Sequence, residues 1–339
     1  MRRWYDADLD RQPLEKRIIA VFGYGAQGRA QARNLRDAGL QVRVALRQGS
    51  ASRARAEADG LTVLDPDTAA EQADIAVLLV PDTAQPRLYE DVLARHLKPG
   101  AALLFAHGYA IHHGHLRARD DLDVIMVAPL GIGEQVRATF EKGAGVPALV
   151  AVHQDGSGQA WPLVLAYAGA GGHGRAGVME TTFAEETETD LFAEQAVLVG
   201  GLSELIRAAF DTLVEAGYQP EVAYFCCLHE VKLIADMIHE RGIAGMRESI
   251  SEVADLGAVQ QGPRIIGAAS REAMRKALAE VRSGEFDRQL QREQAAGFPT
   301  LKAHRHQAKD DLIETVGKRL RDRMPWMRAS DDEEGGHGA

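Results

Sequence analysis

Apolar and polar positions change rhythm once along this chain, near residue 180. Before that point, short runs of apolar and β-branched residues recur at 17–23, 41–46, 73–80, 102–108, 123–129 and 146–152. Segments of helical length separate them, such as AQGRAQARNLRDAG and SASRARAEADG. Short, nearly continuous apolar runs read as strands buried on both faces, and strands alternating with helices read as a parallel sheet. The pattern predicts an α/β Rossmann domain, a doubly wound parallel sheet, over residues 1–182. From 183 to 326 period-2 alternation is almost gone. DLFAEQAVLVGGLSELIRAAFDTLVEAG (190–217) and EVAYFCCLHEVKLIADMIHERG (221–242) have helical spacing and are apolar nearly all round. That predicts an all-α domain whose helices are buried on several sides. The last stretch, 327–339, is polar and glycine-rich and is expected to be disordered.

Composition narrows the function. With 339 residues, 45% of them hydrophobic, the chain can fill two cores. Its formal net charge is -10 and it has no lysine/arginine block, which argues against a nucleic-acid partner. The N-terminus lacks the apolar core of a signal peptide, and no apolar run reaches the roughly 18–20 residues of a membrane span. The two cysteines, Cys226 and Cys227, are adjacent, so no disulfide framework is expected. These features fit a cytoplasmic protein without a membrane partner.

The first chemical signal is VFGYGAQG. Gly23, Gly25 and Gly28 follow an expected strand and open an expected helix, with Tyr24, Ala26 and Gln27 between them. Glycines there allow a tight turn and close approach to a pyrophosphate, whose charge sits at the helix N-terminus. At the end of the second strand an acid would favour NAD. This chain instead carries Arg47, Ser50 and Ser52, a cation and hydroxyls suited to a 2′-phosphate, so NADP(H) is expected. A solvated loop with an N-cap serine is the plainer alternative. Pro81, Asp82 and His107 fall at the C-terminal ends of later strands, the ligand-binding edge of open α/β sheets. Gly133, in APLGIGE, completes the expected cofactor set.

The second signal is TDLFAEQAVL. Asp190 and Glu194 are four apart and share one helix face. Hard carboxylate oxygens of this kind suit Mg²⁺. Position 226 and Glu230 repeat the spacing on the next long helix. The preceding run, Glu185, Glu186 and Glu188, is adequately explained as acid complementing a helix N-terminus.

With GYGAQG, LRQGSAS, LLVPDT, FAHG, VPALVAVHQD, ETETDLFAEQAVL, LVEAGYQPEVAYF, LHE, GIAGMRESIS and MPW, the chain resembles ketol-acid reductoisomerase in its short bacterial form, from about residue 4 to Trp326. The resemblance implies a knotted helical C-terminal domain, a homodimer with shared active sites, possible larger assemblies, NADPH and two Mg²⁺ ions. It implies alkyl migration and reduction of a small 2-hydroxy-3-keto acid. It assigns Asp190 as the bridge between the metals and Glu194 as a ligand to one of them. Glu230 and Ser251 would serve metal and substrate across the dimer, and His107 would lie near the nicotinamide.

Two stretches depart from the family. Where the family reads APKGPGH this chain reads APLGIGE, with Leu130, Ile132 and Glu134 replacing lysine, proline and histidine. Where the family reads YFECLHE this chain has Cys226 in place of glutamate. Leucine supplies no charge, and thiolate disfavours Mg²⁺. The expected function is therefore that of a diverged homologue acting on another small hydroxy or keto acid. Ring closure in specialised metabolism, such as cyclopropanol formation, is one such reaction. An ordinary acetolactate reductoisomerase and an inactive homologue serving as a binding subunit are the alternatives.

Overall fold

The structure is a computed structural model that describes residues 1–324. The expected tail at 327–339 and the tryptophan of MPW lie outside the described residues. The chain divides into two compact units, Met1–Thr189 and a second beginning at Asp190.

The first unit is built on a nine-stranded sheet. Its strands are β1 (Arg3–Trp4), β2 (Ile18–Phe22), β3 (Gln41–Ala45), β4 (Thr62–Leu64), β5 (Ile75–Leu78), β6 (Ala102–Phe105), β7 (Asp123–Pro129), β8 (Ala148–Gln154) and β9 (Val178–Glu180). The spatial order is β1-β9-β8-β7-β6-β5-β2-β3-β4. From β4 to β7 all pairings are parallel, and the order reverses between β2 and β5. This is the doubly wound arrangement, with its ligand crevice at the reversal.

The sheet is not parallel throughout, as the apolar pattern had suggested. β8 runs antiparallel to β7, and β1 pairs antiparallel with β9. The run predicted at 146–152 forms β8, but a strand buried on both faces carries no mark of its direction. β1, β4 and β9 have only two or three residues each, too few to show a period.

Alternation along each strand feeds two cores. Ile19 and Val21 join one apolar cluster with Val44, Val77 and Leu104. Ala20 and Phe22 face a second with Leu78, Leu103 and Phe105. The helices Ala26–Asp37 and Ala160–Ala170 contribute Ala32, Leu35, Leu163 and Tyr167 to the first.

Beyond β9, the helix Phe183–Ala193 leads into an all-helical unit. Both long segments expected here are helical, but each contains a π-helical turn, at Glu194–Leu198 and at Phe225–His229. The second helix also kinks at Gly242, whose φ is 70°. A small core joins Phe210, Ala223, Tyr224, Ile313 and Val316. The expectation of helices buried on several sides does not hold within one chain. Val197, Leu198, Val199, Leu233, Ile243 and Val253 are all exposed, Val253 by 84%.

His173 tests the integrity of the first unit. It is fully buried, and its Nδ1–H donates to the Val146 carbonyl at 2.8 Å. Burial holds its pKa below the ordinary 6.5. The unfolded chain therefore takes up a proton at this site, as pH falls past 6.5, before the folded chain does. Stability should drop below that pH with a slope of at most about 1.4 kcal/mol per unit. A His173→Asn variant should be less stable near neutrality but flatter over the same range, as urea unfolding across a pH series will measure.

Candidate active site

The glycine loop follows β2 at the sheet's reversal point. Gly23 has φ 104°, and a Cβ there would lie 2.6 Å from the Leu79 carbonyl oxygen. Only glycine allows the β2 and β5 loops to touch backbone to backbone. Gly28 is equally constrained, with the Gly23 oxygen 2.3 Å from its hypothetical Cβ. Gly25 is the extended N-cap of Ala26–Asp37, whose first-turn N–H groups are thereby open to a ligand. Gly133 opens the helix Gly133–Glu141 against the same spot, 2.4 Å (hypothetical Cβ) from the Ala26 carbonyl. Gly23, Gly28 and Gly133 are thus required by close approach, whereas a side chain at Gly25 would meet open space.

Tyr24 and Gln27 use their side chains within the protein. The Tyr24 hydroxyl donates to Asp59 at 2.7 Å, and burial followed by that carboxylate pushes its pKa up. Burial alone would raise the Asp59 carboxyl, but bonds from Arg29 and Tyr24 hold it below the usual range. The Gln27 amide donates to the Gly131 carbonyl at 2.9 Å. In the β3 loop, Arg47 is exposed and makes no ion pair among the described residues. Ser50 and Ser52 are half-buried beside it, and the Ser52 hydroxyl does not cap the helix Arg53–Ala58. That leaves a cation and hydroxyls together at the end of β3.

At the neighbouring strand ends, Asp82 and His107 meet a residue that the sequence reading had assigned elsewhere. Glu186 is only 3% exposed. One carboxylate oxygen lies 2.8 Å from His107 Nδ1, and the other accepts the Gly108 N–H at 2.7 Å. Glu186 therefore fixes the imidazole tautomer, with the proton on Nδ1. Glu186 does lie in the first turn of Phe183–Ala193, as expected for an acid complementing the helix dipole, and the fold gives it this further role. Gly108 permits the contact, since a Cβ there would fall 2.6 Å from the Thr187 hydroxyl. Asp82 accepts from the Gln85 amide at 2.9 Å. Burial raises its pKa, and the charge of Glu186 adds to the effect while His107 opposes it.

On the helix Phe183–Ala193, Asp190 follows Glu186 by one turn and is half-buried. Glu194 is exposed in the single chain and opens the first π-helical turn, where the Val199 N–H reaches back five residues to its carbonyl at 2.9 Å. Glu230 directly follows the second such turn. Turns of this kind re-aim side chains and are frequent at functional sites. The second turn also separates the two thiols. Cys227 packs toward the small core and burial raises its pKa, whereas Cys226 is exposed. Ser251 is the N-cap of Glu252–Ile265, its hydroxyl accepting the Ala254 N–H at 3.3 Å. At the end of β7, Leu130 and Ile132 are 48% and 67% exposed.

A glycine loop at the reversal of a doubly wound sheet, with a tautomer-fixed histidine on the same edge, defines a nicotinamide-nucleotide oxidoreductase. Residues 13–177 match the model of the acetohydroxy acid isomeroreductase NADPH-binding domain, and 183–326 match that of the ketol-acid reductoisomerase C-terminal domain. An NADH-preferring ketol-acid reductoisomerase from an uncultured archean is 44% identical over 95% of this chain and 99% of its own, with a TM-score of 0.93. An NAD-binding semialdehyde dehydrogenase from Cupriavidus necator (22% identity, 79% of this chain and 99% of its own, TM-score 0.61) shares the fold alone. So does an oxidoreductase from Jannaschia sp. CCS1, at 17% identity over 78% of this chain and 97% of its own, TM-score 0.58. The chain belongs to the ketol-acid reductoisomerase family and is an NAD(P)-dependent oxidoreductase/isomerase. No described helix is long and apolar enough to cross a membrane.

The role of Glu186 can be weighed by stability. Glu186→Ala leaves the Gly108 N–H without its acceptor and should cost about 1–3 kcal/mol in urea unfolding. An acid that only complemented the helix dipole would cost no more than about 0.3–1 kcal/mol.

Proposed function

We propose that this protein is a diverged reductoisomerase homologue acting on a small hydroxy or keto acid other than 2-acetolactate. The observation that carries this reading is Leu130, an exposed apolar side chain at the ligand edge of β7, where the family carries a lysine. A cation beside a developing negative charge is worth several kcal/mol to a reaction, roughly 2.7–4 for a single donor, and leucine supplies none of it. Cys226 adds a second loss, a soft thiol four residues before Glu230 in place of a hard carboxylate.

Asp190, Glu194 and Glu230 are the residues that would hold Mg²⁺. Glu194 and Glu230 border π-helical turns and Asp190 precedes the first by one helical turn; carboxylate oxygens fit a hard cation, which when bound would polarise the substrate's oxygens. The nicotinamide would supply hydride transfer. His107 would have its ring held in a fixed tautomer by Glu186 at the ligand edge of the sheet. Leu130 and Ile132 would favour a substrate that is apolar or cationic at this wall. Ring closure to a cyclopropanol from a hydroxy acid carrying a sulfonium fits such a wall. Hydride would pass from the alcohol carbon to the nicotinamide and return at the end; between the two transfers a proton would leave the carbon next to the resulting ketone, the new C–C bond would form, and the C–S bond would break with its electron pair on the departing thioether. The exposed apolar residues of the helical unit support a homodimer.

The 44% identity to a ketol-acid reductoisomerase favours a second reading, the ordinary acetolactate reaction with compensating changes. NADPH oxidation with 2-acetolactate separates the two. Divergence predicts little or no turnover for the natural protein, and partial recovery in Leu130→Lys with Cys226→Glu. Each single reversion should recover less, because residues acting as a unit are not additive. Turnover of about 1–10 per second by the natural protein would establish the ordinary reaction instead.

Cofactor preference has its own test. Arg47, Ser50 and Ser52 support NADP(H), although the similar archaeal enzyme prefers NADH. Fluorescence titration should give tighter binding of NADPH than of NADH. Removing the cation by Arg47→Ala should narrow the gap by about tenfold. Equal affinities in the natural protein would refute the phosphate role.

A further inference from the structure

A chain of side-chain amides, buried at Gln31 and half-buried at Gln27, runs from the core of the first unit to the loop that carries Leu130. The Tyr167 hydroxyl donates to Gln31 Oε1 at 2.9 Å. The Gln31 amide nitrogen donates to Gln27 Oε1 at 3.1 Å, and the Gln27 amide nitrogen donates to the Gly131 carbonyl at 2.9 Å. The order of donors is dictated by the far end. A carbonyl only accepts, so Gln27 must present its NH₂ to Gly131 and its oxygen to Gln31. Gln31 must then present its NH₂ to Gln27, leaving its oxygen to the phenol. Tyr167 is fully buried, and burial raises its pKa, so the phenol keeps its proton and the relay keeps one direction.

The relay joins two places that matter to ligands. Gln27 stands in the glycine loop, one residue before Gly28. Gly131 lies between Leu130 and Ile132, the exposed apolar pair. The helix that follows is bound to the glycine-loop helix along its length. The Asn34 amide donates to the Val136 carbonyl at 3.3 Å, and Arg137 donates to Asn34 at 2.9 Å and to Asp37 at 2.6 Å. Ala30, Val136 and Val146 pack between them. Leu130 N–H to Pro147 O, 2.8 Å, holds the base of the loop in the sheet, while Gln27 holds its tip.

We propose that Gln27, oriented by Gln31 and Tyr167, is a positioning residue that couples cofactor occupancy of the glycine loop to the placement of the Leu130–Gly133 loop. The apolar wall met by the substrate is then set by the bound nicotinamide nucleotide. This rests on the reading that the glycine loop binds NADPH. A ligand that steadies the loop's backbone steadies Gln27, and Gln27 steadies Gly131. The coupling lies in hydrogen bonds, so it can be cut behind the cofactor without touching a residue that contacts it.

The experiment is amide hydrogen exchange on the full-length protein with and without saturating NADPH, saturation being set by fluorescence titration. In the natural protein, NADPH should slow exchange of the 130–136 amides about tenfold. In Gln31→Leu, which removes both links, the slowing should fall below about twofold at full saturation, with exchange of the β2 amides unchanged. A general loss of stability would speed both regions together. Tyr167→Phe deletes only the hydroxyl and should give an intermediate slowing of about threefold, so a Gln31 variant that fails to fold still leaves a reading. Natural slowing retained in both variants, or no slowing in the natural protein with NADPH bound, overturns the coupling. Failure of the natural protein to bind NADPH overturns instead the cofactor reading, and the coupling with it.

Discussion

Backbone must touch backbone where the sheet reverses its order. At Gly23 the β2 loop lies so close to the β5 loop that a single methyl would meet the Leu79 carbonyl at 2.6 Å. Gly28 then folds under Gly23, and Gly133 closes on Ala26. These contacts fix where two helix N-termini arrive, and so where a pyrophosphate can be held. Most of the first unit serves this geometry. The two apolar layers on either face of the sheet keep the strands in register, and the loops at their ends inherit that precision.

Polar anchoring at the same edge follows a second logic. Glu186 is nearly excluded from water, yet every strong bond it makes is charge-assisted or to backbone. A buried carboxylate is stable only when so satisfied. In return it fixes both the imidazole of His107 and the Gly108 turn that carries it. The amides behind the Leu130–Gly133 loop obey the same rule, each donor meeting an acceptor in one order. The site is therefore preorganised by groups that are not themselves its reactive atoms.

The helical unit is built on other terms. Its own core is small, centred on Phe210 and Tyr224, while a broad set of valines, leucines and isoleucines faces outward. These exposed side chains are what carries the homodimer proposal. Two π-helical turns interrupt its long helices next to Glu194 and Glu230, at the cost of poorer helical bonding. Each turn thus sets a carboxylate at a break in the regular helix.

Taken by itself, the sequence determined the two-part organisation, the strands with clear apolar runs, the glycine loop and the carboxylates at helical spacing. Each depends on near neighbours along the chain, where period and residue type carry the information. The tertiary structure alone decided the antiparallel β8, because a strand buried on both faces looks the same in either direction. It also decided the role of Glu186. Local pattern placed that residue with Glu185 and Glu188 at a helix start, and only the fold brings His107 and Gly108 from 79 and 78 residues away to meet it. The amide relay was hidden for the same reason, since Tyr167 and Gln31 are 136 residues apart. Spacing reveals which residues can share a face, but burial and partnership depend on what the rest of the chain packs against that face.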